Sequence, residues 1–263
     1  MEIGLDLLDR GRVHADMNFV LDGLATATYD NRQPDHKYGE FVVWNLVIDH
    51  PDATILWDTG SHKEAGDGYW PEPLYQAFAH VNAGDHSLPD DLQAAGYSID
   101  EIDAVVMSHL HLDHAGGLHH FAGTDIPIYV HKEELQFAYY SATTDEGSIA
   151  YLKQDFDHDL NWSILHREQE LFPGIELLHL PGHTPGLVGA HIDRESEPVL
   201  VVGDEAYMQA NFEDEHPMAQ SLLWSNQAWF ESLKRAKGIA TETDATPIFG
   251  HDLDQFDTLV DSL

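Results

Sequence analysis

The sequence predicts an α/β protein in which two sheets stand face to face with helices on their outer sides. Three observations lead there. The 263 residues, 43% of them hydrophobic, suffice for one sizeable core, so residues 1–263 are read as a single domain. Short apolar runs alternate with amphipathic stretches along the whole chain. Strand-like runs fall in both halves with helical segments between them, and no repeat, linker or low-complexity tract divides the chain.

Taken in order, residues 41–48 and 53–57 are strands joined by a turn at His50, Pro51 and Asp52. Residues 74–81 and 89–95 have helical spacing, and Gly96 suits the end of the second. Strand-like runs follow at residues 104–107, 126–130, 175–180, 188–192, 198–202 and 247–249. Residues 132–139 and 225–237 are helical, the latter closed by Gly238. The acidic run 155–159 is read as solvated surface.

Charge excludes several function classes. Twelve Lys and Arg stand against 47 Asp and Glu, a formal net charge of −35. Such a surface repels phosphate backbones and anionic lipid, so neither nucleic acid nor a membrane is expected as a partner. The aromatic content of 10% and the apolar runs separate the chain from disordered acidic sequences. A folded chain this acidic carries strong self-repulsion, which molar salt screens over about 3 Å. The expectation is a cytoplasmic protein from a high-salt organism. No apolar run is long enough for a signal peptide or a bilayer span. The absence of cysteine removes disulfides, thiolate metal sites and cysteine nucleophiles.

With 19 histidines, no single one is informative, but their arrangement is. The apolar run Ala104–Met107 leads into Ser108, His109, Leu110, His111, Leu112, Asp113, His114, Ala115, Gly116 and Gly117. In extended backbone, residues i and i+2 point the same way, so His109 and His111 can grip one ion together. A following helical turn would swing Asp113 and His114 toward a second ion, and the glycines would permit close backbone approach. Three more apolar strands run into a glycine and then a ligand type: Gly182-His183, Gly203-Asp204 and Gly250-His251. Strand ends beside glycine turns are where sites collect. Singly each of these would be a turn residue; together with the first cluster they supply five imidazoles and two carboxylates, enough for two ions sharing a carboxylate. His119, His120, His131, His179 and His191 are read as structural or solvated, and Tyr69, Trp70, Phe137 and Tyr140 as core residues in preference to acyl-pocket residues.

The run His-x-His-x-Asp-His at His109, His111, Asp113 and His114 resembles the signature of the metallo-β-lactamase superfamily. The resemblance extends from Asp58-Thr59-Gly60 to His251. It implies an α/β (α+β) fold, the αββα four-layer sandwich, with metals at one edge of the sheets. It also implies a first ion on His109, His111 and His183, a second on Asp113, His114 and His251, and Asp204 as the bridge. Asp58 matches the family acid that orients a ligand histidine.

Gly203-Asp204-Glu205-Ala206-Tyr207, the segment 211–217 and Phe249-Gly250-His251-Asp252 are similar to the N-acyl-homoserine lactone lactonases within that superfamily. That likeness implies opening of a small-molecule lactone (quorum quenching) by a metal-bridging hydroxide, with Tyr207 donating to the oxyanion and Asp113 passing a proton to the leaving alkoxide. It implies two divalent ions, zinc by default, with manganese, iron or cobalt able to substitute. A homodimer is common in that group. Leu187 departs from the group, which commonly has His there, and Leu112 lies where an apolar group would touch the acyl chain. Alternatives on the same site are a phosphodiesterase, a phosphotriesterase or another ester or thioester hydrolase; a non-catalytic metal-binding protein would be favoured by a missing ligand, and none is missing.

Overall fold

The computed structural model describes residues 2–260. Its strands are β1 (Gly4–Asp16), β2 (Tyr38–His50), β3 (Ala53–Trp57), β4 (Phe78–His80), β5 (Ala104–Val106), β6 (Ile128–His131), β7 (Trp162–Leu165), β8 (Gln169–Phe172), β9 (Ile175–His179), β10 (Val188–Ile192), β11 (Val199–Gly203) and β12 (Thr246–Phe249). Seven form one sheet in the order β4-β1-β2-β3-β5-β6-β7, and five form the other as β12-β11-β10-β9-β8. Strand alternation explains why the runs are apolar throughout. Ile55, Trp57, Ala104 and Val106 face Leu177, Ala190, Val199 and Val201 between the sheets. Leu56 and Val105 instead face Leu92, Phe121 and Ala138 on the outer side. Leu200 and Val202 face Trp229, Leu233 and Ala236 of the helix Asn226–Thr243. Both faces of both sheets are thus covered, giving four layers, helix-sheet-sheet-helix.

Strand direction decides where a site can form. β3, β5, β6 and β7 run parallel. β11 and β12 are also parallel, and β9 points the same way because each pairs antiparallel to β10. The carboxyl ends of β3, β5, β9, β11 and β12 carry the segments that begin at Asp58, Met107, Leu180, Asp204 and Gly250.

Several sequence expectations need correction. Residues 74–81 are not one helix: the helix Glu72–Ala77 ends where Phe78 turns extended, and β4 pairs Phe78–His80 with Val13–Ala15 of β1. Gly238 does not close the helix Asn226–Thr243, which continues to Asp244 in the left-handed region at φ 56°. A Cβ at Gly238 would meet open space, so the glycine costs only its propensity, about 1 kcal/mol, while Ile239 and Ala240 still pack beyond it. Asp155 is buried, not solvated, accepting from Tyr69 Oη at 2.7 Å. Tyr140 is exposed, not core. Strands β1, β4, β7 and β8 were not anticipated; β1 breaks its alternation at a bulge between Asp9 and Arg12, where Gly11 has φ 101°. Among the described residues, no helix is long and apolar enough to cross a membrane.

Candidate metal centre

The segment after β5 forms one tight turn and not a helix: the His111 carbonyl accepts from the N–H groups of His114 (3.0 Å) and Ala115 (2.9 Å). That turn brings His114 beside His109, ring centroids 4.1 Å apart, with Asp113 next to it. The glycines serve as expected, since a Cβ on Gly116 would lie 2.1 Å from His62 N and one on Gly117 2.6 Å from Thr59 O. This closeness lets the Thr59 N–H donate to the His114 carbonyl at 2.8 Å and the Gly116 N–H to the Gly60 carbonyl at 2.8 Å. Gly250 has a comparable reason: a Cβ there would lie 2.5 Å from Asp204 Oδ1.

All seven predicted ligands converge. His109 Nε2 and His183 Nε2 lie 3.1 and 3.0 Å from the same atom, His111 Nδ1. Asp204 Oδ2 lies 3.6 Å from His109 Nε2, 3.5 Å from His114 Nε2 and 3.4 Å from His183 Nε2. Asp204 Oδ1 is 3.3 Å from His251 Nε2. Asp113 Oδ2 is 3.8 Å from His114 Nε2 and 3.6 Å from His251 Nε2. Tetrahedral ligands 2.0–2.1 Å from zinc stand roughly 3.3 Å apart, so this spacing fits donors around shared cations better than a network of hydrogen bonds. His111 Nε2, His114 Nε2 and Asp204 Oδ1 are buried without hydrogen-bond partners, and the latter two point into the cluster. Buried polar atoms are rarely left so. The residues present therefore fit two divalent cations.

The buried charges perturb one another strongly. Burial raises the Asp204 carboxyl, but His251, His114 and His109 outweigh it and hold the group well below its ordinary range. Burial depresses His114, yet Asp204, Asp113 and Asp58 drive it well above the usual imidazole value. Burial and the neighbouring imidazoles keep His109 and His111 well below theirs, hence neutral and able to ligate.

Asp58 sits at φ 56° and fixes the cluster from below. Its Oδ1 accepts from the Ser108 N–H at 2.7 Å; its Oδ2 accepts from the Ser108 hydroxyl at 2.6 Å and from His114 Nδ1 at 2.9 Å. Ser108, which the motif pattern did not single out, also lies 3.0 Å from His109 Nδ1. Tyr207 is held to the last ligand by backbone, its carbonyl accepting the His251 N–H at 2.8 Å. Its ring lies 4.6 Å from that of His251 and 5.5 Å from that of His183. Burial, with Asp204 and Asp113 nearby, pushes its hydroxyl well above the ordinary phenol value, so it remains a donor.

The cluster forms the floor of a cavity of about 640 Å³. His111, Asp113, His183, Tyr207 and His251 reach it, and its walls include Val13, Phe19, Phe41, Leu74, Phe78 and Leu223. Leu112 lines it as anticipated; Trp70 and Phe137, read as core residues, line it too. Leu187 is fully buried, its carbonyl accepting from the Leu180 N–H at 2.9 Å, and does not line the cavity. His131, Glu133 and His179 also bring three ligand atoms within 4.8 Å of one another. The two rings there stack 4.0 Å apart at 19°, however, so their in-plane lone pairs run side by side instead of converging.

The profile of the metallo-β-lactamase superfamily matches residues 38–249. The N-acyl homoserine lactonase AiiB of Agrobacterium fabrum strain C58 is 30% identical over 269 residues, covering 98% of this chain and 96% of that protein. An N-acyl homoserine lactonase of a Bacillus species is 33% identical over 218 residues, 81% of this chain and 82% of its own. A solved N-acyl homoserine lactone hydrolase, with the product N-hexanoyl-L-homoserine bound at its catalytic metal centre, superposes with a TM-score of 0.83 at 29% identity. That superposition covers 98% of this chain and 97% of the other.

Proposed function

The chain belongs to the metallo-β-lactamase superfamily, and on that premise we propose that it is a dinuclear metal-dependent hydrolase that opens the ring of N-acyl-homoserine lactones. One observation carries this reading: in a chain that matches a lactonase along 98% of its length, seven ligand side chains meet at the floor of an apolar cavity. His109, His111 and His183 would hold one cation, Asp113, His114 and His251 the other, with Asp204 shared. Zinc suits these donors, and manganese, iron or cobalt could take its place. When bound, such a pair of cations supplies an activated water and an electrophile for the lactone carbonyl.

The chain's own residues do the rest. Tyr207, protonated and reaching the cavity, donates to the carbonyl oxygen as negative charge develops on it. The Asp113 side chain is 20% exposed and that of Asp204 1%, so Asp113 is the carboxylate within reach of substrate. Asp113 takes the proton released by the attacking water and delivers it to the departing ring oxygen, which leaves as a hydroxyl. The apolar walls hold the acyl chain and exclude bulk water from the reacting centre.

The test is a substrate panel on zinc-loaded protein in molar KCl, with a chelator-treated control. It holds short- and long-chain homoserine lactones, a γ-lactone, a phosphotriester and a thioester. Fastest turnover of the homoserine lactones, abolished by the chelator, is expected. Turnover of the phosphotriester or thioester with none of the lactones would overturn the proposal.

A further inference from the structure

Each of the five clustered imidazoles offers one nitrogen to the centre, and four have the other nitrogen tied down. His109 Nδ1 meets Ser108 Oγ at 3.0 Å, and His114 Nδ1 donates to Asp58 Oδ2 at 2.9 Å. His183 Nδ1 donates to the Leu222 carbonyl at 2.6 Å and His251 Nδ1 to the Val42 carbonyl at 2.8 Å. His111 is the exception, because its outward Nε2 is buried without a partner. Ligand histidines need such a bond to fix tautomer and ring orientation. Something else must hold this ring.

Tyr151 packs against it, with ring centroids 4.5 Å apart and planes tilted by 59°. Its hydroxyl donates to Glu134 Oε1 at 2.8 Å. The same oxygen accepts the N–H of Leu110 at 2.9 Å, and Leu110 is the residue between His109 and His111. One carboxylate oxygen therefore sets both the backbone that spaces the two ligands and the ring that backs the second. Glu134 belongs to the helix Lys132–Thr143 and is fully buried. The loop that carries His183 closes on the same helical turn: a Cβ on Gly186 would lie 2.2 Å from Glu134 N. The bonds from Leu110 and Tyr151 both end on Oε1, while Oε2 is buried without a partner.

We propose that Glu134 and Tyr151 are a positioning pair for His111, replacing the hydrogen bond that orients each of the other four imidazoles and so setting the affinity of the three-imidazole cation site. The inference rests on the dinuclear reading above, and it concerns one of the two sites only. Tyr151→Phe keeps the ring but releases it from Glu134. Glu134→Ala removes both anchors, whereas Glu134→Gln keeps an oxygen able to accept from Leu110 and Tyr151.

The experiment is chelator competition on holoprotein, with cadmium-113 NMR to tell the three-nitrogen site from the site containing Asp113. Tyr151→Phe and Glu134→Ala are expected to weaken the three-imidazole equivalent by about 10- to 100-fold, the range for loss of an outer partner. The other equivalent should be unchanged, and Glu134→Gln should restore near-wild-type affinity. Wild-type affinity at both sites in Tyr151→Phe and in Glu134→Ala would overturn the proposal. So would equal weakening of both sites, which marks a general structural role. If wild-type protein holds a single cation, the dinuclear reading fails, yet the effect of these variants on that cation still decides the role of Glu134 and Tyr151.

Discussion

The Asp58 carboxylate holds the His114 imidazole, Oδ2 to Nδ1, at 2.9 Å, while its other oxygen takes the Ser108 N–H. Asp58→Asn isolates this bond, because Asn tolerates the left-handed backbone at φ 56° that most residues resist. An amide cannot accept at both positions. Metal titration of this variant should show one cation weakened by roughly 10- to 100-fold with the fold intact. Unchanged affinity would remove Asp58 from the account.

Tyr207→Phe deletes only a hydroxyl, whose ring contacts with His251 and His183 are retained. Both cations should remain bound, while kcat falls about ten- to a thousandfold, the range for one oxyanion donor. A wild-type kcat would exclude the hydroxyl from the reaction.

Asp155 gives a pH signature at a residue outside the seven candidate ligands, though Asp113 adds to its shift. Burial raises its carboxyl to about 7, against 3.8 in the open chain. Folding therefore favours the protonated form: the group costs nothing below about pH 4, and stability falls as pH rises toward 7. Asp155→Asn can still accept from Tyr69 but carries no charge to bury. Its Tm should match wild type near pH 4 and exceed it at pH 8, by a free energy of up to about 4 kcal/mol. A difference independent of pH would contradict this.

The net charge of −35 predicts a salt requirement. Molar KCl shortens the Debye length to about 3 Å and removes most of the repulsion between surface carboxylates. The Tm should rise between 0.1 M and molar KCl, to be measured by calorimetry on metal-loaded protein. A flat or falling curve would refute the expectation.

The cluster of candidate ligands was legible because its chemistry is local. His109, His111, Asp113 and His114 lie within one turn, and His183, Asp204 and His251 each follow an apolar strand and a glycine. β3, β9, β11 and β12 were legible as dense apolar runs, since both of their faces are covered. β1 was not, because Gly11 and a bulge interrupt its alternation. Glu134 was invisible for a different reason. In Lys132-Glu133-Glu134-Leu135 two adjacent acids read alike, and only the packing of β6 and its helix against the loop of Leu110 puts one of them inside. Trp70 is a buried core residue as read and also borders the cavity, whereas Phe137 is only partly buried and lines it, since apolarity does not distinguish a core from the wall of a cavity.

The central claim is that seven side chains hold two cations. Elemental analysis of zinc-loaded, desalted protein tests it most directly, with Asp204→Ala beside the wild type. The account predicts two equivalents per chain in the wild type and loss of metal in the variant. One equivalent or fewer in folded wild-type protein, or two retained without Asp204, would contradict it.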